Sequence, residues 1–333
     1  MLNNIKSKVI LKSLLNNISE EKNLNLIKYN NKLKKKFKIT IDDYKRKHYQ
    51  IKIEIIPEYD FNEKRETNKF INRLEDKSLY HIYFDTSKNE IDREYIKKNE
   101  KVSKIIIILE KELISLKRLF DYCLGVKEIK FINFYRTDIL DISYMFGNCY
   151  NLIKLDISKM ITDNTINMEG LFSGCSKIKE INVSNIKINK AENISHMFYS
   201  CENLENINLS HFKTDNVNNM SYLFEKCSNL KEIDLSNFKT DKVKDMTHMF
   251  YECFSLVKLD ISNFNFNKDK NNKSLDDGSS LTKIDAMFYG CSEDLMQKIG
   301  QQRPEINIVA YIDDCYESYG SNDSFSYNSD EIE

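Results

Sequence analysis

The chain has no tryptophan, two prolines, eight glycines and five histidines in 333 residues. So few breaking residues, beside 19 Phe and 19 Tyr, exclude a Pro-rich, collagen-like or low-complexity chain and predict ordered structure. No stretch approaches 18 apolar residues, so no candidate membrane helix is present in the sequence. None of the spacings HExxH, GxxxxGKS/T, GxGxxG or GxSxG occurs, and no two cysteines form a CxxC pair. His196, His211 and His248 are scattered and read as variable surface choices. No enzyme activity, metal or cofactor is therefore expected. Charge of one sign is missing too: 50 Lys and Arg oppose 51 Asp and Glu, and nothing global attracts nucleic acid or a membrane.

What is abundant is a repeat. A hydrophobic residue, Phe, two residues and Cys recur at Phe120/Cys123, Phe146/Cys149, Phe172/Cys175, Phe198/Cys201, Phe224/Cys227, Phe250/Cys253 and Phe288/Cys291. Successive spacings are 26, 26, 26, 26, 26 and 38. A fixed period in the range of 20 to 50 residues is the mark of a repeat architecture.

Apolar residues sit three, six and eight positions after each Cys from Cys123 to Cys253, as in Leu230, Ile233 and Leu235, and this L-x-x-I-x-L core alternates as a strand does. Eleven positions after the Cys comes a column rich in Phe, including Phe212, Phe238 and Phe264. Thr-Asp pairs follow at Thr162-Asp163, Thr214-Asp215 and Thr240-Asp241, where short polar side chains suit a turn by bonding nearby amides. Met168/Leu171/Phe172, Met220/Leu223/Phe224 and Met246/Met249/Phe250 then lie three and four apart, the spacing of one helix face. The expected fold is α/β: a leucine-rich-repeat solenoid, with a parallel β-sheet on one face, short helices on the other and a small α/β N-terminal region. The cysteines, one per unit, are expected to pack as small buried apolar groups.

The repeat resembles the family named after the BspA surface protein, whose motif reads here as Leu223-Phe224, Cys227, Leu230, Ile233-Asp234-Leu235-Ser236, Phe238, Thr240, Val243 and Met246. The resemblance covers about residues 115 to 300. It implies a binding protein, and in many members a microbial surface location. Residues 1–38 are similar to a degenerate F-box, which would imply a ubiquitin-ligase adaptor; a helical cap is the alternative. The domain division expected is 1–38 helical, 39–100 α/β, 101–312 repeats with caps, and 313–333 an acidic tail. Lys8 and Lys12 interrupt the apolar run at the start, which argues against a signal peptide and for a cytoplasmic protein, with a surface location left open.

Within residues 39–100, Ile51, Ile53 and Ile55 predict a strand and His81–Phe84 another, while Ile91–Lys98 suggests a helical turn or two. Val102–Leu109 is expected as a buried parallel strand, the first coil of the repeat array. Leu295, Met296 and Ile299 predict a helix after the last Cys.

Alternation leaves three polar columns opposite the core. Five positions after the Cys stand Glu128, Lys154, Glu180, Asn206, Glu232 and Lys258; seven after, Asp156, Asp234 and Asp260 among others; nine after, a run of Ser. The Asp and Ser columns read as ladder residues bonding one another and the backbone between coils. The column that varies in charge, with Asp156, Asp234 and Asp260 beside it, is the expected partner-binding surface, suited to a basic protein segment. The functional expectation is a monomeric protein–protein interaction module without catalysis; a ubiquitin-ligase adaptor and a surface adhesin are the alternatives.

Overall fold

The structure, a computed structural model, describes residues 49–59, 67–266 and 282–304. Its strands are β1 (Ile51–Pro57), β2 (Thr67–Lys69), β3 (Tyr80–Phe84), β4 (Tyr95–Lys97), β5 (Ile105–Leu109), β6 (Val126–Asn133), β7 (Lys154–Asp156), β8 (Glu232–Asp234) and β9 (Lys258–Asp260), followed by helix α1 (Glu293–Gln302). The helix starts where Ser292 caps it by accepting the Leu295 N–H, and it buries Leu295 and Ile299. The F-box-like segment 1–38, most of the insertion at 265–280 that lengthens the last spacing to 38, and the acidic tail lie outside the described residues.

The α/β solenoid expected from the sequence is corrected by this architecture. The main sheet is mixed, in the order β3-β5-β1-β6-β7, and only β6 and β7 are parallel neighbours. β5 pairs antiparallel with both β1 and β3, through Ile107 opposite Ile53 and Ile82, so Val102–Leu109 is no parallel first coil. Its isoleucines alternate, with Ile105 and Ile107 buried and Ile106 and Ile108 only partly so. Tyr95–Lys97 pairs antiparallel with Thr67–Lys69 where a helical turn was expected. The strands at Ile51–Pro57 and Tyr80–Phe84 form where alternation predicts them.

Residues 101–291 contain no helix where described, and the short helices expected in each repeat are turns. The reason is local. The residue five before each Cys (Arg118, Tyr144, Gly170, His196, Tyr222, His248, Ala286) has positive φ. So has the residue one before it (Tyr122, Asn148, Gly174, Ser200, Lys226, Glu252, Gly290). A right-handed helix cannot pass two left-handed residues four apart. The amides instead donate to the following repeat: Phe146 N–H to Leu171 O at 3.1 Å, Phe172 to Met197 at 2.9 Å, Phe198 to Leu223 at 3.0 Å, Phe224 to Met249 at 2.9 Å. Single parallel bridges link Ser115, Asp141, Asn167, Asn193, Asn219, Asp245 and Lys283 in sequence. The ladder crosses the insertion without a break, since Met246 N–H reaches Lys283 O at 2.8 Å.

The core follows the period. Phe120, Phe146, Phe172, Phe198, Phe224, Phe250 and Phe288 stack ring on ring, with centroids 5.4 to 5.9 Å apart. The Met-Leu-Phe spacing therefore identifies buried residues correctly and the backbone wrongly. Each Cys from Cys149 to Cys291 donates its S–H to the carbonyl of the Phe in the preceding repeat, at 3.0 to 3.3 Å. All seven repeat cysteines are unpaired thiols.

Candidate partner-binding face

On the face built from the L-x-x-I-x-L segments, adjacent repeats pair in twos. Glu128 lies opposite Lys154 and Glu232 opposite Lys258, in β6–β7 and β8–β9, while Glu180 and Asn206 share a single bridge. Two of these pairs carry opposite charges in contact: Lys154 Nζ is 3.5 Å from Glu128 and Lys258 Nζ is 3.3 Å from Glu232. Such exposed pairs set cross-strand register more than they add stability.

The Asp and Asn column bonds differently from the expectation of a ladder between coils. Asp156, Asn182, Asn208, Asp234 and Asp260 each accept the N–H of the Ser two residues later, at 2.9 to 3.1 Å. These are turns within one repeat, and they fix the direction of each side chain. Hydrogen bonds from Ser236 hold the Asp234 carboxyl below the usual carboxylate range, and those from Ser158 do the same for Asp156. Both stay ionised at neutral pH.

A groove of about 860 Å³ runs across this face. Of the nine candidate partner-binding residues it brings together Glu180, Asn206, Glu232, Asp234, Lys258 and Asp260; Glu128, Lys154 and Asp156 lie outside its lining. Its apolar part comes from Ile181, Val183, Ile207, Leu209, Ile233 and Leu259. Ile207 is only partly buried, whereas Ile181, Ile233 and Leu259 at the same place in their repeats are at most 5% exposed. Two lining residues were not singled out from the sequence. His211 is held by a 2.9 Å contact between its Nε2 and Val183 O, and Gln302 arrives from the end of α1. In three other repeats the column of His211 holds Asn185, Asn237 and Asn263, whose side-chain amides also reach carbonyls of the preceding repeat; that shared column was the available signal. Nothing in the sequence locates Gln302 there.

Among the described residues no group of three or more His, Cys, Asp and Glu is placed to hold a metal ion. None of the described helices is long and apolar enough to cross a membrane.

A family model described as "Mycoplasma protein of unknown function, DUF285" matches residues 114–208 and 178–292, together more than half of the chain. The chain belongs to the DUF285 family. This is the family of BspA-like repeat proteins, so the resemblance carried by the 26-residue motif holds at that level. The two DUF285 matches overlap and together span the ladder from the first turn to the last Cys, and they enclose every residue lining the groove except Gln302. No curated protein and no solved structure matches the DUF285 chain.

Proposed function

We propose that this DUF285 chain is a protein-interaction module without catalytic activity, which takes a protein partner on the face formed by the L-x-x-I-x-L segments. The observation that carries this reading is the groove of about 860 Å³, where exposed side chains that vary in charge surround a partly uncovered Ile207. A rigid concave surface with an apolar floor and a polar rim is the usual form of a binding site. Stacked rings and inter-repeat hydrogen bonds beneath it keep that surface in one shape before any partner arrives.

The test is a photo-crosslinking residue placed at Asn206, in the groove, and in a second protein at Asn218, exposed and outside the groove lining. A discrete crosslinked partner is expected from position 206 alone, and it should disappear when Glu180→Lys and Glu232→Lys are added. The same crosslinked product from both positions, or a product indifferent to the charge reversals, overturns the reading.

A further inference from the structure

The groove carries an unbalanced charge. Four carboxylates line it, Glu180, Glu232, Asp234 and Asp260, against one ammonium, Lys258. Lys258 is already engaged, 3.3 Å from Glu232. Arg303, the residue after Gln302, bonds the carbonyls of Ile261, Ser262 and Phe264. Among the described residues the lining therefore keeps an excess of negative charge, with Lys258 shared between Glu232 and Asp234 and no ion pair at Glu180 or Asp260. The whole chain has a net charge of only −1, so this is a feature of the groove and not of the molecule.

The carboxylates are also prearranged. Asp234 and Asp260 are register partners in β8–β9, and each is oriented by the Ser N–H it accepts at 2.9 Å. A ligand that pairs with them loses less side-chain freedom than it would against unrestrained chains. Between these carboxylates and Glu180 lies Ile207, the one residue of its column that is only partly buried.

We propose that the occupant of this groove is an extended peptide segment with lysine or arginine at alternate positions and apolar residues between them. Alternate side chains of an extended chain face opposite ways. One set reaches Glu180, Asp234 and Asp260, and the other rests on Ile207. The inference rests on the reading of this face as a binding site and adds the chemistry of the partner.

The test uses three synthetic peptides of alternating Lys-Val, Gln-Val and Glu-Val, with binding followed by fluorescence anisotropy on the full chain. Asp234→Asn with Asp260→Asn is the decisive variant. Asn is the native residue at the same place in neighbouring repeats, where Asn182 and Asn208 make the same bond to the following Ser. The double variant therefore keeps the turns and removes only charge. The Lys-Val peptide is expected to bind best, about fivefold more weakly to the double variant at low salt, with the difference shrinking as salt rises. Equal binding of the Lys-Val peptide to both proteins, or preference for the Gln-Val or Glu-Val peptide, overturns the inference. If no peptide binds while the Asn206 crosslink persists, the partner chemistry is wrong and the binding face stands. If both fail, both readings fall.

Discussion

The Sγ of Cys201 donates to the carbonyl oxygen of Phe172, 3.2 Å away and 29 residues earlier in the chain. The same bond recurs in each repeat that has a predecessor, so the cysteine column contributes a polar tie between repeats as well as buried volume. Burial, opposed only by the hydrogen bond from the Cys175 backbone, pushes the Cys201 thiol up to about 12. Since the thiolate is the reactive form, this column is chemically quiet.

The expected result is that iodoacetamide at pH 8 leaves Cys201 unlabelled in the folded protein and labels it after unfolding, as read by peptide mass spectrometry. Labelling of native Cys201 at the rate of a simple thiol would contradict its burial beneath Phe172 O. Cys201→Ala should cost about 1–3 kcal/mol, from the lost sulfur contacts and the lost hydrogen bond to the Phe172 carbonyl, which still accepts the Cys175 N–H.

Gly170 tests the turn ladder from a different side. Its φ is +57°, the left-handed value shared with Tyr, His, Arg and Ala at the equivalent position of other repeats. Backbone conformation is therefore not what demands glycine here. A Cβ at Gly170 would lie 2.3 Å from the Tyr144 ring, which fills the space a side chain would need. Gly170→Ala is expected to destabilise by about 1–3 kcal/mol. Tyr144→Ala in the same chain should recover a large part of that loss, so the two changes will be strongly non-additive in thermal or denaturant unfolding. Additive costs would show that the clash is relieved by backbone movement instead.

The same positions explain why the backbone was only partly legible in the sequence. Fourteen left-handed residues shape the ladder, and only Gly170, Gly174 and Gly290 among them are glycines. With Tyr, His and Lys at the others, nothing in residue type warned of positive φ, and the Met-Leu-Phe spacing matched a helix face. Which residues are buried was readable, because inward placement gives the same periodic apolar pattern whether the chain turns or coils. The partners of the Thr column were not. Thr214, expected to bond a nearby amide, is buried and joins Lys239 of the next repeat through both its N–H, at 2.7 Å, and its C=O, at 2.8 Å. Of the candidate site, the columns were visible from alternation alone, whereas the pairing of repeats in twos, and with it the groove, depends on contacts between units that no single repeat encodes.

His196, which shares its position in the repeat with His248, gives the protein a pH dependence that can be signed. His196 stacks on Tyr222 with centroids 4.5 Å apart, and its Nδ1 is buried without a hydrogen-bond partner. Burial holds the imidazole below its ordinary value, and the carboxylates of Glu169, Glu225 and Asp245 only partly offset this. Beside it, His248 Nδ1 lies 3.5 Å from Glu225, which is also 3.8 Å from Lys226. A histidine whose folded pKa is depressed binds its proton more readily in the unfolded chain. Its contribution to stability is therefore complete above the ordinary histidine pKa of about 6.5 and is lost as pH falls through that value toward the folded one. Melting temperature should drop between pH 7 and pH 5 in the wild-type chain. His196→Tyr provides the comparison, since Tyr144 and Tyr222 occupy the same left-handed position in other repeats and the ring stack is preserved. In that variant the fall in melting temperature over the same range should be visibly shallower. An unchanged slope would assign the pH dependence to other groups and leave His196 a packing residue only.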